Sequence, residues 1–148
     1  ADVVGYYQRA DLVGITSRLG VLEAARAGEV IGETAQLDDL VEAEVVSIEV
    51  DAPVAGTVVV NASGAASDMF AGGKVFCSIT TGSTLAASTQ AWESAGSDGS
   101  IGQLAGSRAF PVGAGTHTFN WICQSATSDN GQPAVVSSPT MTYVFVPG

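Results

Sequence analysis

The chain holds one histidine, His117, and two cysteines, Cys77 and Cys123, so any Ser-His-Asp or Cys-His relay must pass through His117. In the run HTFNWIC, His117 shares an alternating face with Phe119 and Trp121. An imidazole so placed is far more often a hydrogen-bonded structural group than a general base. No Gly-x-Ser-x-Gly elbow occurs, and AGGKVF at 71–76 lacks the rest of a phosphate-cradling loop. With a single histidine and no Cys-x-x-Cys spacing, a zinc site lacks ligands. The carboxylates Glu33, Asp38, Asp39, Glu42 and Glu44 crowd one stretch, whereas glycoside hydrolysis needs two that face each other across a cleft. Asp38, Asp39 and Asp129 are candidates for a loop-bound Ca2+, against the plainer reading of a solvated acidic patch. Trp92, in QAWES, is either a buried anchor or an exposed indole able to stack on a sugar. The sequon Asn61-Ala62-Ser63 matters only where the source glycosylates. Few groups remain to act as acid, base or nucleophile, and the chain reads as a protein that is not an enzyme.

The cysteines carry the clearest structural statement. Cys77 alternates with Val75 and Ile79, and Cys123 with Phe119 and Trp121, so both sulfurs face inward. One even pair without metal spacing predicts a disulfide between two strands in an oxidising compartment; two buried thiols acting as small apolar groups are the alternative.

The elements that would position these residues are set by size and composition. A chain of 148 residues with 46% apolar content can bury a core as one domain. Only 14% of residues are charged, and the net charge is −10. The basic residues, Arg9, Arg18, Arg26, Lys74 and Arg108, are too few and scattered for phosphate backbones, which excludes nucleic acid as a partner. No apolar run approaches the roughly 18–20 residues that span a bilayer, so no helical membrane insertion is expected. A surface of small neutral groups costs little to desolvate and suits contact with copies of itself.

Leu12, Ile15, Leu19 and Leu22 form a two-heptad seam within Asp11 to Ala27, with Asp11 as N-cap and Gly28 as C-terminal stop. The seam packs either on its own domain or between subunits. The opening ADVVGYYQR, with Val3, Val4, Tyr6 and Tyr7, is β-prone and suited to adding a strand to a neighbour's open edge. From Glu44 the period becomes two. Strands are predicted at 44–50, 56–63, 74–81, 117–126, 134–138 and 140–146, with weaker ones at 29–36, 84–93 and 100–110. Asp129-Asn130-Gly131 signals a tight hairpin. The organisation is then an assembly arm at 1–30, strand or short helix, and an all-β antiparallel sandwich or jelly roll at 31–148.

The phrase FPVGAGTHTF at 110–119, the run APVAGTVVVNASG at 52–64 and the last strand TMTYVFVP at 140–147 resemble the C1q/TNF-like jelly rolls, particularly those of bacterial secreted or surface proteins. The resemblance covers about residues 44–147. It implies homotrimers about an apolar axis, an N-terminal stalk or anchor, and Tyr143 and Phe145 as the aromatic last-strand residues of the trimer. No Gly-x-y tract is present, so complement-like roles are not implied.

These readings converge on an extracellular, self-assembling structural protein, a filament or sheath subunit or a trimeric surface module, joined through its N-terminal segment. The alternatives are a virion decoration or fibre protein of the same fold, and a carbohydrate-binding module that uses Trp92.

Overall fold

The computed structural model describes residues 24–38, 40–67, 74–86, 91–94, 101–126 and 134–148. Within them run nine strands: β1 (Arg26–Ile31), β2 (Ala35–Leu37), β3 (Glu42–Ala52), β4 (Gly56–Ser67), β5 (Lys74–Thr80), β6 (Ala91–Ser94), β7 (Ile101–Val112), β8 (Gly115–Ala126) and β9 (Ala134–Pro147). All ladders are antiparallel. Sheet A has the order β1-β9-β4-β7, with β2 also paired to β9, and sheet B has the order β3-β8-β5-β6.

The alternation of each strand decides which side chains meet between the sheets. Phe119, Trp121 and Cys123 of β8 face Val58 and Val60 of β4 and Met141 and Phe145 of β9, and all are nearly or fully buried. Each large apolar side chain so buried contributes about 1.5–3 kcal/mol. Phe110 of β7 crosses the gap to Phe119, with ring centroids 4.7 Å apart.

Sheet A tolerates three prolines because of where they fall, and Pro147 is simply the last residue of β9. Pro111 lies on β7, an edge strand, where a missing N–H costs no central ladder bond. Pro139 sits at an irregularity in β9, where register with β4 shifts between Ser63 and Ala65 and Ser138 takes a φ of 51°. This interruption makes 134–138 and 140–146 read as separate strands, yet they are one. It also splits the edge: β1 pairs with residues 140–145 and β2 with residues 134–136, and the Gly32 N–H donates to the Pro139 carbonyl at 2.7 Å.

Three further expectations need correction. The helix proposed for Asp11 to Ala27 does not extend to its end, since Arg26 and Ala27 already pair with Phe145 and Val144, and Gly28 lies inside β1 beneath Tyr143 rather than stopping a helix. The domain boundary at residue 30 therefore falls within a strand of the sandwich. Asn130-Gly131 lies outside the described residues, but the strands on either side of it, β8 and β9, belong to opposite sheets and so do not form the expected hairpin.

Gly56, at the start of the central strand β4, shows how closely sheet A is packed. A Cβ there would press on the Val146 carbonyl oxygen and lie 2.7 and 2.9 Å from ring carbons of Phe145. Since backbone cannot yield, Gly56→Ala is expected to cost about 1–3 kcal/mol. At Gly82 an added Cβ meets only the Thr80 hydroxyl at 3.9 Å, so Gly82→Ala is the control that leaves the denaturant midpoint almost unchanged.

Candidate assembly faces

Each sheet turns one face to the core and one outward, and the outward faces differ in charge. On sheet B, β3 presents Glu42, Glu44, Glu49 and Asp51, all exposed. Beside them the start of the β5–β6 connection folds over the sheet: the Ala86 N–H donates to the Ser78 hydroxyl at 2.9 Å, and the Asn120 amide donates to the Gly82 carbonyl at 3.0 Å. As a result Ile122 and Ser78, which point away from the core, are only 1% and 2% exposed.

The outward face of sheet A is neutral. Its central strands, β4 and β9, contain no charged residue in their 12 and 14 positions. Cross-strand rows place Ala27, Val144, Val59 and Ala109 side by side, then Glu29, Thr142, Asn61 and Ser107, then Ile31, Thr140, Ser63 and Ala105. Glu29, on the β1 edge, is the one charged side chain in these rows. Val144, Val146 and Ile31 are 47%, 50% and 69% exposed. Among the rows lies an open depression of about 400 Å3, lined by Asn61, Ser63, Ala105, Ser107, Thr140 and Thr142. Hydroxyls, an amide and methyl groups line it, which suits close approach of another neutral surface rather than acid-base chemistry.

The residues singled out from the sequence fare differently. Cys77 and Cys123 stand opposite each other on β5 and β8, bonded, with Cα atoms 4.1 Å apart and both fully buried. His117 is half-buried, and its Nε2–H donates to the Gly113 carbonyl at 2.8 Å, clamping the β7–β8 connection. Phe145, expected at an assembly axis, is instead 0% exposed in its own core, because its position on β9 alternates inward with Met141; Tyr143 is packed partly against that core. Trp92 lies on β6 in register with Phe76. Asp38 is exposed, while Asp39 and Asp129 lie outside the described residues, as do Val3, Val4, Tyr6, Tyr7, Leu12, Ile15, Leu19 and Leu22. Among the described residues no three His, Cys, Asp or Glu side chains converge as metal ligands, and no helix is long and apolar enough to cross a membrane.

Sequence reasoning missed Arg108. Its position on β7 alternates inward, its guanidinium stacks over the Phe110 ring at 4.7 Å, and it donates to the Ile79 carbonyl of β5 at 2.8 Å. A cation thus ties sheet A to sheet B at the β7 edge. The neutral rows were also missed, although the absence of charge from 52–67 and 134–147 was visible; what the sequence lacked was the pairing that sets those runs beside each other.

No protein-family profile matches the chain, and no curated protein matches it by sequence. Solved structures do match. The VP2 subviral particle of infectious bursal disease virus is 10% identical with a TM-score of 0.58 over 84% of this chain, which spans 33% of that capsid chain's length. The Eiger TNF of S. frugiperda is 11% identical with a TM-score of 0.51, covering 83% of this chain and 93% of that one. Murine APRIL, at 11% identity and a TM-score of 0.50, covers 82% and 99%. At such identities the shared property is the fold, and the chain is an all-β antiparallel jelly roll of the architecture found in TNF-family and viral capsid proteins.

Proposed function

We propose that this chain is a non-enzymatic structural subunit that assembles with copies of itself outside the cell, as a surface filament, sheath or trimeric module, with residues 1–25 helping to join subunits. One observation carries the reading: a chain of net charge −10 keeps the outward rows of sheet A free of charge except for Glu29. Like-charged copies approach each other at least cost through such a surface. The buried disulfide fits an oxidising compartment. A virion decoration or fibre role is the second reading, favoured by the likeness to chains solved as a subviral particle and as T=1 particles.

Sedimentation velocity of the full chain tests the reading. Val144→Glu puts a carboxylate into the neutral rows and is expected to weaken self-association on the order of a hundredfold, since an unpaired charge is desolvated at the contact. Glu49→Gln, on the opposite face, should leave it intact. A wild-type chain that stays monomeric at high concentration, or a Val144→Glu chain that assembles as before, would overturn the reading.

A further inference from the structure

The strand edges of the sandwich are guarded unequally. Exposed edges invite pairing with other chains, and soluble proteins defend them with charge, proline or brevity. The sheet B edges are β3, which carries Glu42, Glu44, Glu49 and Asp51, and β6, which is four residues long. At one edge of sheet A, β1 is six residues long and carries Arg26 and Glu29. The other edge, β7, is twelve residues long; its one charged residue, Arg108, is turned inward and held by the Ile79 carbonyl, and its one proline, Pro111, stands next to its end. Among the described residues no strand pairs with β7 beyond β4. On the same edge Phe110 and Val112 pack against the core while remaining only partly buried. Among the described residues the edge thus offers an open ladder and incompletely covered apolar groups together.

We infer that β7 receives a strand from a second copy of the chain, the segment around Val3 to Tyr7. This rests on the self-assembly reading above and supplies its acceptor. The segment DVVGYYQ is β-prone, and with Val4 and Tyr6 on one side and Val3 and Tyr7 on the other it presents apolar groups to either face. Asp2 and Arg9 at its ends cancel, so it meets an uncharged edge without net charge of its own. The residues between Tyr7 and β1 can extend about 60 Å at 3.3–3.6 Å each, farther than the roughly 45 Å length of the longest strand at 3.3 Å per residue. Fully extended, the arm would be long enough to pass beyond its own sandwich.

Backbone hydrogen exchange in the full-length protein tests this directly. In an assembled sample, the β7 amides that point away from β4 are expected to exchange at least tenfold more slowly than in a dilute monomeric sample. Val4→Pro with Tyr6→Pro should abolish that protection while leaving the melting temperature of the dilute monomeric sample unchanged, because proline cannot complete the added ladder. Isotope-labelled double-proline chain mixed with unlabelled wild type should regain protection at β7, its intact edge being filled by a wild-type arm. If labelled β7 stays unprotected in the mixture while wild type alone is protected, the arm folds onto its own edge and the second-copy assignment is wrong. If wild-type protein sediments as an assembly yet its β7 amides exchange freely, the inference fails and the neutral-face reading stands. If it never assembles, both fail.

Discussion

Replacing Cys77 and Cys123 together by alanine is expected to lower the melting temperature by roughly 8–16 °C, the equivalent of about 4 kcal/mol for a chain of this size. The bond joins residues 46 apart in sequence and so removes many unfolded conformations at a single stroke. Loop-closure entropy for such a loop is about 13 cal/mol/K, which gives the 4 kcal/mol at 25 °C. The two strands it joins, β5 and β8, are already neighbours, so the folded ladder has little to gain and the effect falls on the unfolded chain. Thermal unfolding of the double variant measures it. A shift under about 3 °C would show that the unfolded ensemble is already restricted in this region. Because both sulfurs are fully buried, reductant added to the folded protein should act only as fast as the protein unfolds.

Trp121→Ala is expected to cost about 3–5 kcal/mol, enough to consume much of the stability of an ordinary domain. The indole reaches from β8 in sheet B across the core to β4 in sheet A, where Gly64 leaves it room. A Cβ on Gly64 would stand 3.2 Å from two indole carbons and 3.1 Å from Val136 Cγ1. Tryptophan and glycine thus act as one unit. Gly64→Ala should destabilise the native chain by about 1–2 kcal/mol by overpacking, and less in a Trp121→Phe background, where the smaller ring withdraws. Denaturant unfolding of the four proteins completes the cycle. Strictly additive costs would show that the ring does not determine the residue at position 64.

Much of the sandwich was legible because its strands alternate cleanly: β3, β4, β5 and β8 fall where period two places them, and the cysteine pair follows from the inward faces of two of them. What local patterns cannot carry is which strand lies beside which. The neutral rows join β4 to β9, whose paired residues Val59 and Val144 stand far apart in the chain, so neither run announced its partner. Asn130-Gly131 misled for the same reason, since a turn motif states local backbone preference and not the sheet to which the next strand goes. Phe145 was placed among the trimer's last-strand aromatics by a family resemblance, although its alternation with Met141, read by itself, turns it into the chain's own core. Arg108 was passed over as scattered charge because the acceptor that holds it is a backbone carbonyl on another sheet, which leaves no trace in sequence.

The segment that lies across sheet B, with Ala86 bonded to Ser78 and Gly82 to Asn120, has a bearing on thickness. A sandwich capped by its own loop on one side, with carboxylates beside that cap, has no second flat surface on which another layer can settle. If copies assemble as proposed, through the neutral rows of sheet A, stacking would end at that one contact, with the acidic sides turned outward.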